Sequence, residues 1–306
     1  MAGMSRPSLP PLHFLLALAV VAVWGTNFVV IKVGLDHLPP LTFAALRFTF
    51  ALLPAAFFLK RPDVAWGKLA AYGLLIGVGQ FGLLYIAMTH LISPGLASLV
   101  VQMQAFFTIA LAMWLTGERL QGFQVAALIV AALGLAWLMA HTSAEVTPLG
   151  LVLVLGAALS WAGGNVVARS SGPVNMLSYV VWASLFSAPP LFALALVMEG
   201  PALMAHSLAT AGWETWAAVL WQSVGNTLFG YAAWGWLLAR HPAATISPLS
   251  LLVPVFGMGA SALFLGEPLQ SWKLTAAVLV LAGLAINTLW PLVGRRRIAP
   301  APPAAE

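Results

Sequence analysis

The chain has 306 residues, of which 61% are hydrophobic and only 7% are charged, and its formal net charge is +5. A soluble domain carries roughly 25% charged residues, so this composition excludes an ordinary water-soluble protein. The sequence contains no cysteine, which excludes disulfide bonds, thiol catalysis and cysteine-based metal sites.

Ten apolar stretches follow one another along the chain, joined by short polar segments. Each is close to the roughly 20 residues that a helix needs to cross the hydrocarbon core of a bilayer. They predict an all-α integral membrane protein with ten transmembrane helices, here called span 1 to span 10. The predicted bounds are 12–33, 41–59, 66–88, 94–115, 123–140, 148–168, 176–197, 214–238, 244–265 and 273–292. Little sequence remains for a soluble catalytic or regulatory domain.

The basic residues are unevenly distributed between the two sides of the predicted membrane. If the N-terminus is cytoplasmic, only Lys32 and Lys273 lie outside, and Arg47 lies within span 2. The cytoplasmic set is Arg6, Lys60, Arg61, Lys68, Arg119, Arg169, Arg240, Arg295, Arg296 and Arg297. This excess follows the positive-inside rule and predicts that the tails, 1–11 and 293–306, are both cytoplasmic. It explains the net charge without nucleic acid, for which no basic face with interleaved aromatics exists.

Segments of the first half recur in the second half. WGTNFVVIK at 24–32 matches WAGGNVVAR at 161–169, QFGLLY at 80–85 matches LFGYAA at 228–233, and TGERL at 116–120 matches LGEPL at 265–269. The extra residues of the second half fall near Met198 to Gly212, where we expect one longer loop. The halves, 12–140 and 148–292, hold five spans each, and an odd number inverts the second half relative to the first. Inverted repeats place a substrate site between the halves, which predicts a transporter.

Several short runs carry a resemblance to a known family. They are WGTNFVVIKVG at 24–34, LRF at 46–48, GLASLV at 95–100, Gln102 to Phe107, Gly117-Glu118 and PLSLLVP at 248–254. In these runs the chain resembles the EamA family of the drug/metabolite transporter superfamily, over essentially all ten spans. The runs at 95–107 and 248–254 are most similar to bacterial exporters of O-acetylserine and cysteine. The resemblance implies a bacterial inner-membrane carrier that exports small amino-acid metabolites by alternating access.

Other functions remain open as alternatives. The 13 Trp and 16 Phe residues suggest an exporter of aromatic or other amino acids. A channel would need a filter-like segment, and a membrane-embedded enzyme would need convergent catalytic groups. No filter-like segment appears, so a channel is not expected. The histidines lie mostly at span ends and no Asp is within a span, so an enzyme is not expected either. We expect no cofactor and no metal; the expected partners are a small-molecule substrate and the lipid bilayer, with the oligomeric state left open.

Polar and amphipathic side chains within the spans are the candidate substrate-binding residues, because burying them in lipid is costly unless they face the protein interior. Arg47 suits a bidentate contact with a carboxylate, and amides can pair with both ends of a zwitterion. Trp24 and Trp161 are repeat mates in span interiors. The competing interpretation is that such residues join helices, or that Arg47 reaches the near interface. The candidates are Trp24, Asn27, Arg47, Gln80, Tyr85, Ser98, Gln102, Trp161, Asn165, Asn226, Tyr231 and Ser247.

Helix geometry refines this set. Gln102 and Gln104 are about 200° apart around a regular helix, so at most one of them is expected to face the site. Ser98 and Ser247 are repeat mates whose hydroxyls are expected to face the pseudo-symmetry axis together. Prolines in spans 2, 7 and 9 predict interrupted helices, which in transporters point toward the site. They are Pro54, Pro189, Pro190, Pro248 and Pro254.

The acidic residues lie outside the span interiors. Glu118 and Glu267 each follow a span and precede the next helix, so we expect them to support hairpins. A carboxylate proton carrier within the membrane is therefore not expected, and facilitated export or exchange is the simpler mechanism.

Overall fold

The computed structural model describes residues 9–117, 121–141 and 145–297, and this part of the chain is almost wholly helical. Arg6, Glu118 and Arg119 lie outside the described residues, as do the side chains of residues 292–297. Within the described part, nine helices are long and apolar enough to cross a membrane. They are Pro11–Leu35 (span 1), Pro40–Phe58 (span 2), Trp66–His90 (span 3), Pro94–Leu115 (span 4), Gly122–Ala140 (span 5), Pro148–Ser170 (span 6), Met176–Met198 (span 7), Ala244–Leu265 (span 9) and Ser271–Pro291 (span 10).

A further long helix occupies the position of the predicted span 8. It runs through Trp213–Leu220, Trp221–Phe229 and Gly230–Arg240 without a break. Its polar residues Gln222, Ser223, Asn226 and Thr227 are buried within the protein. The order of ten long helices therefore follows the prediction, while apolar composition identifies only nine of them, because span 8 carries part of the polar interior.

Local sequence sets where the helices begin and end. Spans 1, 2, 4 and 6 begin with proline, which lacks an N–H group that the first helical turn would leave unbonded. Spans 4 and 9 end at Gly117 and Gly266, whose φ angles of 71° and 66° are left-handed. Glycine adopts this conformation without a steric cost. The repeated Gly-Glu pair thus begins with a helix-ending glycine in both halves.

The segment between spans 7 and 8 is not the simple loop that the sequence suggested. Helix Pro201–Thr210 lies there, preceded by Gly200 at φ 83°. Its residues Met204 and Ser207 are buried against the bundle. The left-handed glycine followed by proline starts a new helix, and the length of the insertion alone does not reveal this.

Each half places its first helix in the other half. Span 1 packs against spans 8 and 9, and span 6 packs against spans 3 and 4, while spans 2 and 7 pair, as do spans 5 and 10. Glycines allow the closest approaches: a Cβ at Gly25 would lie 2.5 Å from Phe256 Cβ, and a Cβ at Gly164 would lie 2.6 Å from Ile76 Cδ1. Exchanging the halves leaves this set of contacts unchanged, as a two-repeat architecture requires.

The bundle has two chemically different ends. We call the end that carries Lys60, Arg61, Lys68, Arg169 and Arg240 the basic end, and the end that carries Asp36, Glu145, Glu199 and Glu267 the carboxylate end. At the basic end, Lys68 Nζ donates to Ser170 O, which joins the start of span 3 to the end of span 6. At the carboxylate end, Glu199 after span 7 contacts the start of span 2. Successive spans thus run in opposite directions.

Two carboxylates of the second half cap helices of the first half at the carboxylate end. Glu199 accepts hydrogen bonds from Leu41 N at 2.6 Å and from Thr42 N and Oγ1 at 3.0 and 2.6 Å. Glu267 accepts them from Ser93 Oγ at 2.5 Å and Gly95 N at 3.0 Å. The free N–H groups and the positive dipole end at a helix start favour an anion there. These contacts join the two halves at the carboxylate end.

Lys273 adds ion pairs at the carboxylate end. Its side chain is fully buried, with Nζ 2.6 Å from Glu145 Oε2 and 3.1 Å from Glu267 Oε1. The sequence placed Lys273 outside the membrane and Glu267 in a hairpin. The structure adds that Glu267 connects span 10 to the start of span 4, a contact that only the packing of the two halves creates.

Candidate functional site

A cavity of about 480 Å³ lies between the two halves. Its volume is within the range of small-molecule sites in proteins. Spans 5 and 10 contribute none of its lining residues. Ala168, Met176, Trp234 and Ser247 lie near the basic end, and Ile31 lies about one turn from the carboxylate end of span 1. The lining consists of Trp24, Asn27, Phe28, Ile31, Arg47, Tyr72, Gln80, Phe81, Leu84, Val101, Gln102, Gln104, Trp161, Asn165, Ala168, Met176, Asn226, Tyr231, Trp234, Ser247, Ser250 and Val253.

Most of the side chains singled out from the sequence meet in this cavity. Tyr85 and Ser98 are fully buried and are not part of its lining. The ten that line it are Trp24, Asn27, Arg47, Gln80, Gln102, Trp161, Asn165, Asn226, Tyr231 and Ser247. Their role in binding stays a prediction, while their common location is a property of the fold.

Four interruptions of regular helix surround the cavity, in two pairs related by the repeat. Span 3 is a π-helix over Leu74–Gly82, and span 8 is a π-helix over Trp221–Phe229. Span 4 is a 3₁₀-helix over Val101–Met103, and span 9 is one over Ser247–Leu252. Each segment contributes lining residues. Such irregular turns are frequent at functional sites because they redirect side chains and backbone groups.

Arg47 in span 2 is the cation of the cavity wall. Its side chain is 1% exposed, and its guanidinium carbon lies 3.5 Å from the centroid of the Phe81 ring. Nη1 donates to Tyr85 Oη at 3.2 Å and Nη2 donates to Thr227 Oγ1 at 3.2 Å. Arg47 therefore points into the protein rather than to the membrane interface, and its position depends on spans 3 and 8.

Tyr85 lies behind Arg47. It donates from Oη to Gln222 Oε1 at 3.1 Å while accepting from Arg47. Gln222 O in turn accepts from the side-chain hydroxyl of Thr227 at 2.9 Å, within the π-helical part of span 8. These groups form a hydrogen-bonded support for the guanidinium, and Tyr85 contacts Arg47 without lining the cavity itself.

The repeat mates Ser98 and Ser247 differ in environment. Ser98 is fully buried, donates to Gly95 O at 2.7 Å and packs against Gly257 of span 9. Ser247 lines the cavity near the basic end. The two mates thus have different surroundings, and the expectation that both hydroxyls face the axis together stays a prediction. The two halves differ because spans 4 and 9 are packed at the carboxylate end and separated at the basic end.

Gln102 and Gln104 both line the cavity, which corrects the expectation that at most one of them would. The cavity is wide enough to contact more than one side of span 4, and the 3₁₀ turn at Val101–Met103 departs from regular helix geometry. Gln104 Oε1 accepts from Asn165 Nδ2 at 2.9 Å, which joins span 4 to span 6. Gln104 thus has a structural partner as well as a place on the wall.

Aromatic rings form much of the remaining wall. Trp24 Nε1 donates to Asn226 O at 3.2 Å, and its ring lies 5.2 Å from that of Trp234 and 6.0 Å from that of Tyr231. Sequence reasoning missed Tyr72, Phe28, Phe81 and Met176. The sequence offered only one indication for them, which is that they lie near the polar candidates along the chain. This indication is weak because aromatic and apolar side chains in a span can equally face lipid.

The chemistry of the lining is that of a binding site. None of the carboxylates in the described part of the chain belongs to the lining. The described residues also hold no group of three or more His, Asp or Glu side chains that could bind a metal ion. A cation, amides, hydroxyls and aromatic faces can hold an organic molecule with charged and apolar parts.

Comparison with known proteins adds an independent finding. The model of the EamA-like transporter family matches residues 12–140 and 148–289. A probable amino-acid metabolite efflux pump of Escherichia coli (strain K12) is 44% identical over 279 residues, covering 89% of this chain and 93% of that protein. A probable terminal-alkyne amino-acid exporter of Streptantibioticus cattleyicolor is 28% identical, covering 92% and 95%. A solved crystal structure with 20% identity aligns at a TM-score of 0.61 over 94% of this chain and 99% of its own, which establishes a shared fold alone.

Proposed function

Because the chain belongs to the EamA-like transporter family, we propose that it exports small amino-acid metabolites by alternating access, with the cavity between its halves as the substrate site. The observation that carries this proposal is the polar and aromatic cavity at the interface of two repeats. Inverted repeats can expose such a site to each side in turn as one half moves against the other. The 44% identical relative, a probable amino-acid metabolite efflux pump, supports the same class of substrate.

We further propose O-acetylserine and cysteine as substrates. The resemblance of residues 95–107 and 248–254 to exporters of these molecules supports this choice. Residues from both runs line the cavity, among them Gln102 and Ser250. Both substrates are small zwitterions with a polar side chain, which amide and hydroxyl groups can bind.

The proposed orientation places the basic end and both termini in the bacterial cytoplasm. The positive-inside rule supports this assignment. The cavity then faces the cytoplasm, where the exported molecule is made, and the capped carboxylate end closes the opposite side. This arrangement corresponds to the state that loads substrate before export.

The aromatic lining favours a second candidate substrate class. Trp24, Trp161, Trp234, Tyr231 and Phe81 all contribute rings to the wall. Such surfaces suit the apolar side chains of larger amino acids, including aromatic ones. We therefore propose aromatic amino acids as the alternative to O-acetylserine and cysteine.

Overproduction in a bacterial host tests the proposed function. Cells are challenged with cysteine, O-acetylserine, phenylalanine or threonine, and the excreted compound is measured against cells that carry an empty vector. We expect several-fold greater excretion of at least one compound. Asn27→Ala, which alters the cavity wall, should reduce it, whereas His206→Ala, at an exposed position outside the cavity, should not. No enhanced release of any of the four compounds would overturn the proposal.

A further inference from the structure

We propose that Arg47 binds the carboxylate of the transported molecule, and that the cavity therefore requires a substrate with a free carboxylate. This inference rests on the proposed function, because it assumes that the cavity is the transport site. It adds a specific chemical requirement to that function. It also assigns one end of the substrate to one side chain.

The first argument is the charge of Arg47 and the absence of a counter-ion for it in the described part of the chain. The ion pairs found there are made by Lys32 and Lys273. Arg47 is 1% exposed, and its guanidinium is a cation. A buried charge without a partner of opposite sign is strongly unfavourable, although the face of Phe81 at 3.5 Å partly stabilises it. A carboxylate that enters the cavity supplies the missing negative charge.

The second argument is the number of unused donors. A guanidinium has five N–H groups arranged as a rigid fork. Tyr85 Oη and Thr227 Oγ1 each accept one hydrogen bond from it, and Nε has no partner among the described residues. The remaining N–H groups match the two oxygens of a carboxylate in a bidentate contact. A neutral amide offers only one oxygen and adds N–H groups of its own, so it fits the same fork poorly.

The third argument is that Arg47 is held in place before a ligand binds. Tyr85, Thr227 and Phe81 fix its guanidinium from spans 3 and 8, and Ser223 Oγ donates to the Arg47 carbonyl at 2.9 Å. Tyr85 is thus a positioning residue. A fixed guanidinium loses little freedom when it binds, which favours discrimination by shape and charge.

The same cavity offers a complementary group for the other end of a zwitterion. Asn27 Oδ1 is a buried acceptor without a hydrogen-bond partner among the described residues. Its oxygen suits an ammonium group, which donates and does not accept. Arg47 and Asn27 approach the cavity from spans 2 and 1, and span 8 contacts both of these spans. The pair accounts for recognition of the shared part of amino acids, and it leaves the side chain to the aromatic wall.

Matched analogues in proteoliposomes test this inference. Proteoliposomes that contain the purified wild-type protein are loaded with unlabelled cysteine or phenylalanine. Uptake of the same amino acid in labelled form, by exchange, is then measured. Competition by cysteinamide and phenylalaninamide is compared with competition by the parent amino acids. We expect each carboxamide to compete at least about tenfold more weakly, because it loses a charge-assisted hydrogen bond. Equal competition by acid and amide in the wild type would overturn the inference.

Variants locate the effect. Arg47→Gln should lose the preference for the acid, and Tyr85→Phe should weaken it while retaining exchange. Arg61→Gln removes a cation at the basic end that stacks on Trp66 outside the cavity, and it should keep the wild-type preference. If Arg47→Gln does not fold, the comparison of acid and amide in the wild type still tests whether a free carboxylate is required. A wild type that exchanges neither of these amino acids, nor O-acetylserine or threonine in the same assay, contradicts the proposed function instead, so the two failures are distinguishable.

Discussion

At the scale of single residues, burial of charge is the most informative feature of this protein. Arg47 and Lys273 are both fully buried, but their surroundings differ. Lys273 contacts two carboxylates at the carboxylate end, whereas Arg47 contacts hydroxyls and an aromatic ring at the cavity. A cation with acidic partners contributes to structure, and a cation without them in a cavity is suited to bind an anion.

Removing the charge of Glu267 tests its structural role. Glu267→Gln weakens the ion pair with Lys273 and places an amide near the Gly95 N–H. We expect a loss of about 1–3 kcal/mol in the free energy of unfolding, since a charge-assisted network is broken. The measurement is the thermal unfolding midpoint of purified protein in detergent. Asp63→Asn, at an exposed position before span 3, should change stability by no more than about 0.5 kcal/mol, and an equal loss in both variants would contradict this role.

At the scale of helices, glycines decide how closely the halves approach. Span 1 passes span 9 at Gly25, where a Cβ would lie 2.5 Å from both Phe256 Cβ and Val253 O. The second of these neighbours is backbone and cannot rotate away. Helices in membranes associate largely through such close packing, because lipid provides no hydrophobic driving force between them.

Gly25→Ala should therefore destabilise the protein. We expect a loss of about 1–3 kcal/mol from overpacking between spans 1 and 9, followed through the thermal unfolding midpoint in detergent. Gly235→Ala is the matched control, because a Cβ there meets no atom within 4 Å. Alanine is also the better helix former, so this control should leave stability unchanged or raise it slightly. Equal destabilisation by both substitutions would show that the close contact is not responsible.

At the scale of the whole molecule, two serines related by the repeat have different surroundings. Ser98 is packed against span 9 near the carboxylate end, and its mate Ser247 lines the cavity near the basic end. Alternating access requires these environments to exchange when the cavity opens to the other side. This difference between the halves is what we expect of a single conformation in the proposed transport cycle.

Single-cysteine labelling tests this exchange. The native chain has no cysteine, so Ser98→Cys and Ser247→Cys each introduce the sole thiol. With a membrane-impermeant maleimide, we expect Ser247→Cys to react from the cytoplasmic face and Ser98→Cys to react slowly. Adding Glu267→Gln, which weakens the closed carboxylate end, should raise labelling of Ser98→Cys from the outside severalfold. Labelling of both positions from the same face would contradict alternating access.

The sequence by itself determined the helical membrane architecture and the two-repeat layout. Apolar stretches of about 20 residues are long enough to cross a bilayer. In lipid they form helices, because the backbone N–H and C=O groups must then be hydrogen-bonded within their own segment. The short motifs that recur in both halves identified the two groups of five spans as repeats of each other. Prolines also predicted the irregular turn in span 9, where Ser247–Leu252 is a 3₁₀-helix. These properties depend on residues that are near one another in the chain.

Only the tertiary structure decided which polar residues share one cavity and which support it. Tyr85 and Arg47 look alike as polar residues within spans, yet one lies behind the other. The π-helices of spans 3 and 8 carry no comparable proline signal, and the Glu267 contact with Ser93 joins distant parts of the chain. Such relations arise from the packing of one half against the other. Local pattern determines a helix, whereas the direction of each side chain depends on its neighbours from other helices.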